Sequence, residues 1–205
     1  MDGGILMNIE LKILNKEFYQ GAPGADFSNA SPKGKYKNIP KYITAGSAGV
    51  DLICTEDYII NPGETVQIST GLAIHIGSGH THKQLSDVFD VRIVGMIVPR
   101  SGLGTKGLIL ANTIGIIDED YQGDVIVQAW NRLVSCTTEE CDLDTCSYGG
   151  PSIRWGVEHN TIKIKEGDRF AQLIFVPIIK AHFNVVEEFR IDTERGSGGF
   201  GSSGK

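Results

Sequence analysis

The sequence has no apolar run approaching the roughly 20 residues that a bilayer-spanning helix needs, so no transmembrane span is expected. It also lacks an excess of basic residues: 19 Lys and Arg stand against 25 Asp and Glu, a net charge of -6. Bulk electrostatic binding to nucleic acid or to an anionic membrane needs the opposite balance, and neither partner is expected. A small anionic ligand held by a few focused donors is still compatible with this charge. The opening, MDGGILMNIELKIL, has an acidic residue and no basic n-region, so no secretory signal is expected, and Met7 offers a second start. Cysteine is sparse, at four residues, and without an export signal the expected location is the reducing cytoplasm. No stretch sustains a 3.6-residue apolar period and no repeat of fixed length occurs, which excludes helical bundles and solenoids.

Glycine is abundant instead. With 26 in 205 residues it is near twice its average frequency, while proline numbers only seven. That points to tight turns or to backbone approaching a ligand closely. Short alternating, β-branched segments dominate: NIELKIL (8–14), DLICTEDYII (51–60), TVQIST, LAIHI, DVRIVGMIVP, LILANTIGII, DVIVQAW, NTIKI, FAQLIFVPII and FNVVEEF. Gly, Pro, Asn and Asp separate them, so the expected class is all-β, in a sandwich, jelly roll or barrel, with one helical turn near 102–107. Three segments read as loops, at 20–38, 77–90 and 134–160. A domain over 1–191 is followed by a Gly-rich tail over 192–205, expected to be mobile when unliganded.

Several residues carry potential chemistry. In PRSGLGTKG (99–107), Arg100 offers a planar fork of donors, Ser101 a hydroxyl, and Gly102 a closely approachable N–H, all suited to phosphate oxygens. The same residues also fit an ordinary turn with a surface Arg. NTIGIIDEDYQGDV (112–125) reads as a hairpin with carboxylates at its tip. Such a tip is commonly a solvated turn, and it becomes functional if one carboxylate sits beside an electrophile. Gln172, among apolar neighbours in GDRFAQLIF, is either outward-facing or a buried hydrogen-bonding group. Cys136, Cys141 and Cys146 are each five apart, with Cys54 distant and His159 following. That spacing departs from the Cys-x₂₋₄-Cys pairs of structural zinc sites, and a reduced loop, or a disulfide formed on storage, is favoured over zinc. His80 and His82 read as loop residues, and His75 as a strand position.

Taken in order, AGSAGVDL (45–52), PRSGLGTKG (99–107), NTIGIIDEDYQG (112–123), GDRFAQLIF (167–175) and RGSGGFGSSG (195–204) resemble the five ordered motifs of the trimeric deoxyuridine triphosphatases, the dUTPases. Each motif alone is moderately specific, and five in order are much more so. TGLAIHI and LIFVPII are similar to bacterial-type members. The resemblance implies a β-jelly-roll homotrimer with active sites at subunit interfaces, closed by the C-terminal tail. It implies cleavage of dUTP to dUMP and pyrophosphate, limiting uracil incorporation into DNA and supplying dUMP for thymidylate synthesis.

Residue by residue, the resemblance gives Asp118 the role of general base for the attacking water. Arg100, Ser101, Gly102 and Gln172 match positions that hold the phosphate chain. Backbone groups around Ile116, Ile117 and Ile126, with the Asn112 side chain, match the uracil-selecting edge. A cytosine amino group there would leave buried polar groups unpaired, a mismatch able to discriminate by ~10⁴. Tyr121 matches the residue packed on the deoxyribose, so a 2′-hydroxyl should clash. Phe200 matches the aromatic that stacks on uracil, while Arg195, Gly201, Ser202 and Ser203 match contacts to the outer phosphates. Mg²⁺ is implied as cofactor, held mainly by triphosphate oxygens and water, with Asp51 contacting the metal site indirectly, through water or through a neighbouring Arg. Lys106 receives no role, and the three loops are longer than in compact members. The related dCTP deaminases share the Arg-Ser motif but need an acid/base Glu near the pyrimidine amino group, and no such motif occurs. A non-catalytic nucleotide sensor is the other reading, and the presence of Asp118 argues against it.

Overall fold

The computed structural model describes residues 8–20, 36–77, 91–134 and 160–198. Ten strands and two single-turn helices are found among them: β1 (Glu10–Ile13), α1 (Lys16–Tyr19), β2 (Val50–Ile53), β3 (Tyr58–Ile60), β4 (Thr65–His75), β5 (Val91–Pro99), α2 (Ser101–Gly104), β6 (Leu108–Leu110), β7 (Gly115–Ile117), β8 (Asp124–Asn131), β9 (Ile162–Ile164) and β10 (Arg169–Ile179). They form two four-stranded sheets, β1-β4-β8-β6 and β2-β10-β5-β7, and a β3-β9 pair. Every strand pairing among the described residues is antiparallel. The all-β expectation holds. No helix among the described residues is long and apolar enough to cross a membrane.

Alternation explains the core. In β8, Val125, Val127, Ala129 and Asn131 are buried, and Ile126, Gln128 and Trp130 face outward. The inward residues meet Ile68 and Ile74 of β4, Ile97 of β5 and Leu173 of β10 in one apolar cluster. TVQIST and LAIHI are one strand rather than two. Gly71 joins them at φ +66°, and its carbonyl accepts from the N–H groups of Leu14 and Asn15 at 2.8 and 3.0 Å. A Cβ there would come within 2.6 Å of the Asn15 Cβ, so the close approach needs glycine. LILANTIGII is conversely two strands, broken where Thr113 adopts φ +67°. DLICTEDYII likewise divides into β2 and β3.

The bases of two expected loops lie in the described structure. Gln20 bridges Tyr36, and the Lys37 N–H donates to the Tyr19 carbonyl at 2.7 Å, joining the flanks of 21–35. The fully buried Asn131 donates from Nδ2 to the carbonyls of Ile60 (3.0 Å) and Asn160 (2.7 Å) and accepts from the Leu133 N–H at 3.1 Å. The Asn160 amide in turn donates to the Val134 carbonyl at 2.7 Å, joining the flanks of 135–159. A buried side-chain amide with both ends paired ties down segments distant in sequence. The interiors of these loops, 78–90, and Cys136, Cys141, Cys146, His80, His82 and His159 lie outside the described residues.

Two strand readings need correction. The expected hairpin is not a ladder: β7 pairs with β5, and β8 pairs with β4 and β6, so residues 118–123 cross between sheets. Alternation identifies a strand and its buried face, but not its neighbour. FNVVEEF forms no strand, since both edges of β10 are already taken by β2 and β5. Phe183 is 87% exposed, Val185 95% and Phe189 90%, so the described residues give the arm's apolar side chains no cover.

Candidate active site

Asp51 is the organising residue of the first cluster. It lies on β2 opposite Gln172 of β10 and is 9% exposed. A carboxylate this buried needs charged or hydrogen-bonding partners. It has three. Arg100 Nε lies 3.1 Å from Oδ1, Arg169 Nη1 3.3 Å from Oδ2, and Gln172 Nε2 donates to Oδ1 at 3.2 Å. Arg100 reaches this position because Pro99, the last residue of β5, pairs with Ala171. Its Nη1 also donates to the Arg169 carbonyl at 2.8 Å. Two of its five N–H groups are thereby used to fix the plane of the guanidinium, and three remain for a ligand.

Ser101 and Gly102 follow directly, exposed in α2, which holds its turn through the Leu103 and Gly104 N–H groups to the Arg100 carbonyl. A Cβ on Gly102 would touch nothing within 4 Å, so the backbone there stands open. Beside this cluster is a cleft of about 650 Å³, whose charged lining is Arg100, Lys106, Lys163, Arg169 and Asp168. Four cations to one acid, on a chain of net charge -6, concentrate positive potential at one place. Gln172 is thus a half-buried hydrogen-bonding group. Arg169 and Lys163 were not singled out by sequence: Arg169 sits 118 positions from Asp51, and no local pattern reveals that pairing.

The second cluster surrounds the crossing between the sheets. Asp118 follows β7 and is exposed, and the Tyr121 N–H donates to its carbonyl at 3.2 Å, closing a turn. The Tyr121 hydroxyl donates to the Asp124 carbonyl at 2.9 Å, folding the ring back over Gly123. A Cβ on Gly123 would collide with that ring, which explains the glycine. Ile116 is 55% exposed, Ile126 45% and Tyr121 41%, while Ile117 is buried. Asn112 is exposed in the turn before β7. β6 covers the outer edge of β8 only from Ala129 to Asn131, so among the described residues the backbone edge near Ile126 has no strand beyond it. The missing hairpin ladder therefore leaves an open edge able to pair with a planar heterocycle.

The clusters lie at opposite ends of β5. Ile117 pairs with Gly95, so Asp118 lies beyond Gly95 toward the start of β5, whereas Arg100 lies past its end. At about 3.3 Å per residue the two are separated by on the order of 20 Å. One chain does not bring them onto a common phosphorus. Arg195 donates from Nε to the Gly198 carbonyl at 2.9 Å, a contact within the tail itself. Phe200, Gly201, Ser202 and Ser203 lie outside the described residues.

The donor set bears on the implied metal. Among the described residues no three His, Cys, Asp or Glu side chains come together to hold an ion, and both Asp51 oxygens accept from cationic or amide N–H groups. This set fits a hard cation carried by phosphate oxygens and water better than one caged by protein. Cys54 is a packed core thiol: it donates to the Glu56 carbonyl at 2.9 Å, and burial pushes it up to about 11. His75 lies in β4, with Nδ1 2.9 Å from Glu10.

The chain is 42% identical over 169 residues to the deoxyuridine 5′-triphosphate nucleotidohydrolase of Pseudomonas fluorescens, covering 81% of this chain and 87% of that protein. It is 42% identical over 170 residues to the enzyme of the same name from Haemophilus influenzae, covering 82% and 87%. The dUTPase of Staphylococcus bacteriophage 80alpha, solved with dUPNHPP, superposes with a TM-score of 0.63 at 25% identity, over 97% of this chain and 99% of that one. The dUTPase of phage phi11 of S. aureus, described with a structural Mg(II) ion, superposes with a TM-score of 0.60 at 22% identity, over 90% and 99%. The dUTPase family profile matches residues 35–137 and 153–204, taking in both clusters and the Gly-rich tail, and with the similarity to these nucleotidohydrolases it establishes that the chain belongs to the dUTPase family.

Proposed function

We propose that this protein hydrolyses dUTP to dUMP and pyrophosphate, removing a precursor of uracil in DNA and supplying dUMP for thymidylate synthesis. The observation that carries this reading is the alignment of Arg100, Arg169 and Gln172 on the buried Asp51 carboxylate, beside Ser101, Gly102 and a basic cleft. Arg100, Ser101, Gly102 and Gln172 hold the triphosphate. Water attacks the α-phosphorus as the bond to the bridging oxygen of the pyrophosphate breaks, and Asp118 orients that water and takes its proton. A carboxylate is too weak a base to deprotonate bulk water, so positioning is its larger contribution. Mg²⁺, when bound, supplies charge neutralisation on the phosphates. Asp51 acts through Arg100 and Arg169 rather than as a direct ligand. The open edge around Ile116, Ile117 and Ile126, with Asn112, reads uracil, and Tyr121 packs on the deoxyribose.

The protein works as a homotrimer in this reading. With Asp118 and Arg100 on the order of 20 Å apart along β5, a complete site needs the first cluster of one subunit and the second of another. The apolar arm through Phe183, Val185 and Phe189 also calls for a covering surface that the described residues of its own chain do not give. Residues 192–205 form the lid, bringing Arg195, Phe200, Gly201, Ser202 and Ser203 over the nucleotide.

Pyrophosphate release from dUTP, dCTP, dTTP and UTP tests the activity. dUTP is expected to be turned over at least ~10³-fold more efficiently than dCTP, since an amino group at the uracil edge leaves buried polar groups unpaired. Equal rates across the four nucleotides would overturn the assignment. Asp51→Asn keeps the shape but removes the charge shared by two guanidiniums and turns an amide donor toward existing donors. It should lower kcat/KM for dUTP by about 10- to 100-fold, mostly through KM. A wild-type KM in that variant would show that Asp51 does not align the phosphate-holding residues.

A further inference from the structure

Of the three consecutive carboxylates Asp118, Glu119 and Asp120, the outer two are exposed, but the Glu119 side chain is turned inward and is only 15% exposed. Its Oε1 lies 3.3 Å from Arg92 Nη1 and 3.2 Å from Lys180 Nζ. Its main-chain carbonyl accepts from the Gly77 N–H at 2.9 Å. Its Oε2 is buried with no hydrogen-bond partner among the described residues. Arg92 is on β5, paired with Ile178 of β10, and Lys180 follows the end of β10. Both cations therefore stand on one end of the sheet that carries β7. Residues 118–123 have no ladder of their own, since they cross between sheets. A crossing without a ladder must be fixed by other contacts if a side chain on it is to hold one position.

We infer that Glu119 is a positioning residue for Asp118: clasped by Arg92 and Lys180, it anchors the turn to the end of the β5–β10 ladder and so fixes where the adjacent carboxylate meets the attacking water. The inference rests on the proposed role of Asp118. Its energetic logic is that a half-buried carboxylate with two cations costs desolvation and is a weak source of net stability, yet it specifies geometry closely. A misplacement of a reacting group by about 1 Å can lower the rate by ~10²-fold. Tyr121 is held separately, through Asp124, and the phosphate-holding residues lie at the other end of β5. Loss of Glu119 should therefore slow the reaction more than it weakens binding.

The test is steady-state dUTP hydrolysis by the full chain, with melting temperatures, for wild type, Asp118→Asn, Glu119→Ala, Glu119→Gln and Lys180→Met. Glu119→Ala should lower kcat by about 10- to 100-fold with KM within about threefold. Glu119→Gln, which keeps the size and one acceptor, should fall between this and wild type. Lys180→Met should lose less and add no further loss in the Glu119→Gln background, because both act through one contact. Wild-type kcat in the Glu119 variants, whatever their melting temperature, would reduce Glu119 to a structural residue and overturn the inference. So would fully additive losses, or a rise in KM alone. If Glu119→Ala does not fold, Glu119→Gln and Lys180→Met carry the same comparison. Wild-type enzyme without dUTP preference defeats the functional reading itself. An active wild type, an inactive Asp118→Asn and unaffected Glu119 variants defeat only the present inference.

Discussion

Asp118→Asn is expected to bind dUTP as wild type does and to lose about 10³-fold in kcat. Asparagine keeps the size of the side chain and one carbonyl acceptor, so it can still receive a hydrogen bond from water. It cannot take the proton. General-base catalysis is typically worth about 10²- to 10⁴-fold, and a group that acts only as the transition state forms affects kcat and kcat/KM equally while leaving KM in place. The structure is suited to this separation. Asp118 is exposed after β7, makes its turn through a main-chain hydrogen bond with Tyr121, and contributes nothing to the core. Its substitution should leave the melting temperature within the small range of an exposed site. Pyrophosphate release gives the rate, and calorimetric titration with the non-hydrolysable analogue dUPNHPP gives the affinity. A variant with wild-type turnover would remove Asp118 from the chemistry, and one with lost affinity would make it a binding group.

The strands were legible because alternation directly records which face of a strand is buried, and β8 shows the period through Val125, Val127 and Ala129. Pairing was not legible. NTIGII and VIVQAW read as a hairpin because they are adjacent in sequence, yet β7 and β8 lie in different sheets, and among the described residues that separation leaves the backbone edge near Ile126 without a strand beyond it. FNVVEEF read as a strand because its apolar residues imply burial, and the described residues of the chain leave them exposed. The residues proposed to hold phosphate were visible as a motif at 99–107. The residues that orient them, Asp51 and Arg169, are brought together by β2–β10 pairing across more than a hundred positions. Glu119 was hidden for the opposite reason: an acidic tip looks solvated, and only the structure shows one of its three carboxylates turned onto Arg92 and Lys180.

Truncation after Glu194 should leave a folded trimer with kcat/KM for dUTP lowered by about 10²- to 10⁴-fold. The removed segment is RGSGGFGSSGK. Its described beginning is a compact turn, with the Gly198 N–H donating to the Arg195 carbonyl at 3.0 Å and Arg195 Nε donating back to the Gly198 carbonyl at 2.9 Å. That contact fixes the guanidinium by one N–H and leaves four for phosphate oxygens. Of this segment, the described residues 195–198 lie outside the apolar core, and the melting temperature and sedimentation of the truncated protein should match wild type. The loss in rate is the sum of two kinds of contact. Stacking of Phe200 on the base is worth about 1–3 kcal/mol, and charge-assisted hydrogen bonds from Arg195 about 1.5–3 kcal/mol. At about 1.4 kcal/mol per factor of ten, the two together span the stated range. In the proposed lid, glycines between them would let the backbone follow the ligand closely, and the same composition would let the segment open for product release. Phe200→Ala should show the stacking share alone, about a 5- to 150-fold loss. A truncated enzyme with full activity would place the whole tail outside the site, and a truncated protein that no longer forms trimers would make residues 195–205 part of the assembly rather than the lid.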